Sequence, residues 1–353
     1  MGTYNSLIPG GIFPPQPLGI SLLGNLAPPA TGISFLGGIG GLAEVLPRPR
    51  WAYVEPRFRG LLANIEPTAN QFEDVQTKFA GILRCLNRKF WPEGVGPGAE
   101  TAIVVGSWGK GTRARPSSDM DVIFVLPWAM HARYEARAGN KQSGILREVR
   151  NALLESYPNT EIKGDGPTVV VNFSSYKVEV APAFTTSLSA RIDQHDLRLL
   201  LCDTNDGGRY KAVAPIAERN KIIIHDSAAT GDLIRLIRMA KTWKNVCCVP
   251  IKSFLLEQLA IEFLGQWPNA WKGLFWHDWM ICDFLAYMPT RQNGYGVLPV
   301  SGERFDFGNQ WVSKAVTAHK TAGAACTFEH ANLNALAGVE WQKLFGTFIP
   351  RVA

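Results

Sequence analysis

The sequence predicts an α+β fold continued by a mainly helical half, and three observations carry that prediction. Short β-rich runs cluster between residues 101 and 181, a long amphipathic stretch precedes them, and from about residue 190 apolar residues recur at helical spacing. With 353 residues, 46% of them hydrophobic, the chain can fill a sizeable core. Three segments follow: an arm over 1–60, an α+β unit over 61–190 and a helical half over 191–353.

The arm is rich in glycine and proline and nearly uncharged, Glu44 being its first charged side chain. Proline removes amide donors and glycine adds backbone entropy, so neither a long helix nor a central strand is expected there. Two readings stay open: an arm draped over the surface, or a docking segment for another copy or subunit that buries Leu7, Ile8, Phe13, Leu22, Leu23 and Phe35. Pro9, Pro14, Pro15, Pro17, Pro28 and Pro29 interrupt every candidate membrane span, and no basic start precedes an apolar run. Neither a transmembrane helix nor a secretory leader is expected.

From Pro67 the pattern becomes helical, with Phe72, Val75, Phe79, Ile82, Leu83, Leu86 and Phe90 on one face and Pro92 beyond the end. Strands are expected over Thr101–Val105, Asp121–Leu126, Thr168–Phe173 and Tyr176–Ala181, the last two joined as a hairpin through Ser174 and Ser175. A helix over Ser143–Tyr157 should pack on this sheet. Further helices are expected over Asp232–Lys244, Pro250–Leu264, Asn269–Met288 and Gln310–Ala322, with Pro250 in a first turn and Gly265 as a stop.

The net charge of +6 and the pI near 9.0 suit polyanionic partners such as nucleotides, and equally suit a surface that is merely soluble. Cys85, Cys202, Cys247, Cys248, Cys282 and Cys326 form no CxxC pair, so they read as reduced thiols of a cytoplasmic protein, with Cys247 and Cys248 as core packing. The histidines form no cluster. Trp267, Trp271, Trp276 and Trp279 read as core rather than as a base-stacking platform.

Chemistry concentrates in Gly106-Ser107-Trp108-Gly109-Lys110-Gly111-Thr112 and Ser118-Asp119-Met120-Asp121-Val122. A strand delivers the chain into Gly106-Ser107, where small side chains let backbone amides approach a triphosphate. Eleven residues separate Ser107 from Asp119, and Asp119 and Asp121 then stand two apart on a strand, on the same side. Hard carboxylate oxygens suit Mg²⁺, with Mn²⁺ as a substitute. A third acid fits in Lys177-Val178-Glu179-Val180-Ala181, where the valines point inward and Glu179 points to the opposite face. Three such carboxylates support phosphoryl transfer by position and charge alone.

These blocks resemble the bacterial CD-NTases of the SMODS type, members of the polymerase β-like nucleotidyltransferase superfamily and relatives of cyclic GMP-AMP synthase and oligoadenylate synthetase. The resemblance rests on Gly106-Ser107, Lys110-Gly111-Thr112, Ser118-Asp119-Met120-Asp121-Val122 and Val178-Glu179-Val180-Ala181-Pro182-Ala183-Phe184. It continues through Leu236–Trp243 and Lys252–Glu257, over about residues 67–265. It implies a polymerase β-like core over 61–190 joined to the helical half, bilobal, with a triphosphate in the central cleft. By the same resemblance Arg238, Lys241 and Ser253 contact the donor triphosphate. Arg238 and Lys241 are three apart on one helix face and Ser253 lies in a first turn, which independently suits an anion. The sequence departs from the family in Glu179, where aspartate is common, in the arm, and after Gly294, where the match is loose.

The expected activity is Mg²⁺-dependent, template-independent transfer with release of pyrophosphate. Asp119, Asp121 and Glu179 would be its catalytic and metal residues, and Gly106, Ser107, Arg238, Lys241 and Ser253 its nucleotide-binding residues. The resemblance implies a cyclic di- or trinucleotide second messenger, made in anti-phage defence from ATP or other triphosphates and read by an effector protein. Two alternatives stand beside it: linear oligonucleotides, or transfer to RNA or protein, from the same site; and an inactive scaffold assembled through residues 1–60.

Overall fold

Alternating side chains set seven strands into one sheet: β1 (Ala102–Val105), β2 (Met120–Val125), β3 (Glu161–Asp165), β4 (Thr168–Asn172), β5 (Lys177–Thr185), β6 (Leu199–Asp203) and β7 (Arg209–Val213). The order is β1-β2-β5-β4-β3, and among the described residues only β2 and β5 run parallel. The long β5 pairs with β4 through its first half and with β6 through its last residues, and β6 pairs with β7. This computed structural model describes residues 51–94, 101–116, 119–186, 195–270 and 272–353. The arm up to residue 50, Ser118 and Trp271 lie outside the described residues.

The helices, in chain order, begin with α1 (Val54–Ile65), α2 (Ala69–Phe90), the single turn α3 (Gly106–Gly109), α4 (Trp128–Glu135), α5 (Lys141–Ser156) and α6 (Pro215–Ala228). They continue with α7 (Asp232–Val246), α8 (Ser253–Leu264), α9 (His277–Tyr287), α10 (Val312–His330) and α11 (Asn334–Phe345). A small hairpin of β8 (Tyr295–Val297) and β9 (Arg304–Asp306) sits between α9 and α10. A capping box fixes the start of α2: the Gln71 amide donates to Thr68 Oγ1 at 3.3 Å, and the Thr68 amide donates to Gln71 Oε1 at 3.0 Å.

Period-two alternation divides the sheet into two faces. Val104, Met120, Val122, Phe124, Val178 and Val180 pack with Val75, Phe79 and Ile82 of α2 and Val149 and Leu153 of α5. The other face carries Ile103, Ile123, Val125, Ala181 and Ala183, covered by Leu197, Leu199 and Ile216. The helical half has its own core, built from α1 and from α7 to α11, with Trp243, Trp311 and Trp341 fully buried.

Two expected boundaries move. The arm was to run to residue 60, yet Val54–Ile65 is a helix whose Val54, Phe58, Leu61 and Ile65 belong to the core of the helical half. Pro56 falls in its first turn, where no amide donor is needed, Gly60 is tolerated, and its apolar spacing is that of an ordinary amphipathic helix. Residue 190 is no boundary either, because β6 and β7 extend the sheet of the preceding unit. Two helices are shorter than expected. Pro250 precedes α8, since Lys252 is still extended (φ −70°, ψ 138°), and Gly273 (φ 75°) breaks the Asn269–Met288 segment ahead of α9. Trp267 is core, whereas Trp279 is 44% exposed.

Candidate active site

The parallel pairing of β2 with β5 places Asp121 directly beside Glu179, and the antiparallel pairing of β1 places Val105 on the other side of Asp121. Both acids share the sheet face of Ile123 and Ala181, opposite the α2 and α5 packing. Asp119 immediately precedes β2. Asp121 and Glu179 line a cavity of about 300 Å³ with Gly106, Lys110, Thr168, Glu218 and Arg219, its floor being the apolar side chains of the same face.

The turn α3 explains why glycines occupy this place. Gly106 has φ +60°, and a Cβ there would stand 1.8 Å from Asp121 Oδ2. Its missing side chain therefore makes room for the carboxylate itself. At Gly109 a Cβ would meet the Val104 carbonyl oxygen at 2.1 Å, so the turn can lie flat on β1 only with glycine.

Charge crowds the site. Burial raises the Asp121 carboxyl above the usual carboxylate range and the Asp119 charge adds to this, while Lys110 and Lys241 oppose it. Glu179 is raised by burial first, then by the charges of Asp121 and Asp119. Asp119 shares its carboxylate with Lys177, whose Nζ lies 3.8 Å from Oδ1. The Arg113 guanidinium lies 4.4 Å over the Trp108 ring; burial lowers it to about 10, against the pull of Asp119. Among the described residues no three His, Cys, Asp or Glu side chains close around one point as a ready-made ion cage.

Behind the cavity lies a buried ion cluster. Lys110 Nζ donates to Glu218 Oε2 at 3.0 Å and to Glu257 Oε2 at 3.3 Å, and Lys241 Nζ donates to Glu257 Oε1 at 2.7 Å and Thr112 Oγ1 at 2.8 Å. The Thr112 hydroxyl donates in turn to Glu257 Oε1 at 2.8 Å. Burial alone would raise Glu257, but the ammoniums of Lys241 and Lys110 outweigh it and hold the carboxyl at about 2. Lys110 is raised against its burial by Glu257 and Glu218. Lys241 stays below its ordinary value because burial costs it more than Glu257, shared with Lys110, returns.

Residues 53–223 match the family model described as the Second Messenger Oligonucleotide or Dinucleotide Synthetase domain, SMODS, a span that holds β1, β2, β5 and all three acids. Residues 53–223 are thus a nucleotidyltransferase domain of the SMODS type. The chain's fold is shared by E. coli MS115-1 CdnC, solved with ATP, at TM-score 0.58 and 18% identity over 84% of this chain and 98% of that one. CdnC in a complex with HORMA-deltaN gives 0.57 and 18%, over the same shares. Vibrio cholerae DncV, a cyclic AMP-GMP synthase solved with the linear intermediate pppA(3′,5′)pG, gives 0.66 at 11% identity, over 84% of this chain and 95% of that one. No curated protein matches the chain.

The residues singled out from sequence divide into two groups. Asp119, Asp121, Glu179 and Gly106 come together at one end of the sheet, and Ser107 sits in the same turn. Arg238, Lys241 and Ser253 do not line the cavity. Arg238 donates to Glu66 Oε1 at 2.5 Å and to the Gly111 carbonyl at 3.1 Å, Lys241 is held by Glu257 and Thr112, and the Ser253 hydroxyl accepts from Lys244 at 3.1 Å. Arg238 and Lys241 are thus buried ion-pair members, 6% and 7% exposed, rather than a solvated basic face. Sequence reasoning missed Lys110, Glu218 and Glu257 as partners. The one legible signal was a glutamate, Glu257, inside the nearly all-apolar Ser253–Leu264 run, which has to find buried cations.

Proposed function

We propose that the chain joins nucleoside triphosphates without a template into a cyclic di- or trinucleotide, using Asp119, Asp121 and Glu179. The register pairing of Asp121 with Glu179, on a face that opens into the cavity beside Gly106 and Lys110, carries this reading. The donor set fits Mg²⁺ or Mn²⁺: it is all carboxylate oxygen, and two of its members are raised by crowding that a cation would relieve. A bound ion would neutralise the triphosphate and acidify the attacking hydroxyl. Asp119, shared with Lys177 here, would turn fully to the ion.

A ribose hydroxyl oxygen attacks the α-phosphorus, the bond from that phosphorus to the bridging oxygen breaks, and pyrophosphate leaves. Glu179, already raised, suits the role of accepting the hydroxyl proton, with Asp121 as the alternative base. Lys110 supplies positive charge at the cavity wall. For Arg238, Lys241 and Ser253 to reach the donor triphosphate, Glu66, Glu257 and Lys244 must release them. We read the product as a second messenger in anti-phage defence, made in the cytoplasm and sensed by a separate effector. The CdnC–HORMA complex makes a regulatory protein partner a reasonable expectation for this relative.

Incubation of the pure protein with all four ribonucleoside triphosphates and Mg²⁺, followed by phosphatase and mass spectrometry, tests the product. A phosphatase-resistant oligonucleotide is expected. A product that loses terminal phosphates supports the linear alternative. If triphosphates neither react nor raise the melting temperature, the scaffold reading replaces both.

A further inference from the structure

The helical half carries a second constellation that the nucleotide chemistry does not use. Cys282 on α9 and Cys326 on α10 line one cavity. His319, two turns before Cys326 on α10, has Nδ1 3.6 Å from Cys282 Sγ and 3.1 Å from the Cys282 carbonyl oxygen. The cavity measures about 530 Å³, and its other walls include Trp51, Trp279, Asp283 and His330. Trp279 is 44% exposed, so this cavity reaches the surface, and none of the three acids of the sheet lines it.

Buried thiols usually act as small apolar fillers. Three features set this pair apart: a second cysteine on the facing helix, an imidazole on the Cys282 sulfur, and one cavity lined by both cysteines. The neighbouring Cys326 lowers the Cys282 thiol to about 7 against its burial, with His319 assisting, whereas Cys326 is pushed up. The other charged groups around the pair are Asp283 and Asp278 on α9 and Glu329 on α10. Burial raises Asp278 to about 8, and Glu329 is tied to Arg57. Cys202 is raised by burial, and so is Cys247.

We propose that Cys282 and Cys326 form a hydroperoxide-reactive dithiol site, with Cys282 the attacking thiol and Cys326 its resolving partner. The Cys282 thiolate attacks one oxygen of hydrogen peroxide, the O–O bond breaks, and the departing hydroxide takes up a proton as water. Cys282 is then a sulfenic acid. The Cys326 sulfur attacks the Cys282 sulfur, its proton joins the leaving hydroxyl as a second water, and a disulfide staples α9 to α10. The two sulfurs are oxidised together by two electrons and the peroxide is reduced.

Stoichiometric hydrogen peroxide on the reduced full-length protein, with peptide mapping by mass spectrometry, tests this. The expected result is a Cys282–Cys326 crosslink reversed by dithiothreitol, with Cys282 alkylated by iodoacetamide at least about 10-fold faster than Cys85 beforehand. Cys326→Ser should leave a dimedone-reactive sulfenic acid at Cys282. Phenylarsine oxide, which needs two adjacent thiols and no oxidation, should bridge the wild-type pair and not the Cys326→Ser protein. The proposal is overturned if peroxide leaves both thiols reduced, if oxidation joins only Cys247 to Cys248, or if the arsenical fails to bridge the pair.

Discussion

Gly106 shows how one missing side chain can carry a site. Its positive φ is a conformation that costs an L residue about 1 kcal/mol, which alone is tolerable. The decisive term is steric, because a methyl 1.8 Å from Asp121 Oδ2 could be relieved only by moving the carboxylate proposed to bind the ion. Gly106→Ala is therefore expected to fold, with a melting temperature within a few degrees of wild type, and to lose at least about 100-fold in the rate of pyrophosphate release. A crowded carboxylate gives the complementary prediction. Glu179 is raised in the folded state, so it holds its proton to higher pH there than in the unfolded chain. Its contribution to stability is most favourable in acid and is lost as pH rises from the ordinary carboxylate range through the raised value. Glu179→Gln in metal-free protein should melt roughly 2 °C higher than wild type at pH 8, with the difference fading as pH falls below the ordinary range. Differential scanning fluorimetry across pH reads this, and a variant that melts lower at pH 8 would contradict the crowding.

At the scale of elements, the site depends on how the turn after β1 is tied to α7 and α8. Glu257 is 3% exposed and serves Lys241, Lys110 and Thr112 at once. Removing its charge leaves two buried ammoniums short of a counter-ion, which costs far more than the pair itself contributes. Glu257→Gln should lower the unfolding free energy by about 3 kcal/mol in urea titrations at pH 7. Because Glu257 is held at about 2, its contribution is full above the ordinary carboxylate range and lost only as pH falls toward that value.

These elements also show what could be read in advance. Alternation within Val178-Glu179-Val180 and within Met120-Asp121-Val122 was enough to turn both acids to one face, because the strand period allows no other answer. The adjacency of β2 and β5 was not legible, since strand order depends on contacts far apart in the chain. Nor was the burial of Arg238 and Lys241, because two cations on a helix face look the same in sequence whether they meet water, phosphate or Glu66 and Glu257. The expected arm boundary failed for a similar reason: α1 packs against helices more than two hundred residues away in sequence, a distance no local pattern reports.

Across the whole molecule, α1 and the C-terminal residues together close the helical half. Arg57 on α1 is fully buried, with Nε 2.6 Å from Glu329 Oε1, Nη1 donating to the carbonyls of Pro350 and Arg351, and Nη2 to Asn334. One guanidinium thus joins α1, the end of α10, the start of α11 and the C-terminal residues, meeting its planar donors with fixed acceptors. The sheet half in turn offers its acid-bearing face beside this helical body, joined to it by the Glu257 cluster. The proposed function rests on three carboxylates sharing one divalent ion in the presence of a triphosphate. Titration of Mn²⁺ with a non-hydrolysable ATP analogue, read by electron paramagnetic resonance, tests that sharing directly. Wild type should bind the ion, while Asp121→Asn and Glu179→Gln, each folded, should bind it at least about 10-fold more weakly. Equal Mn²⁺ affinity in wild type and Glu179→Gln would contradict the account.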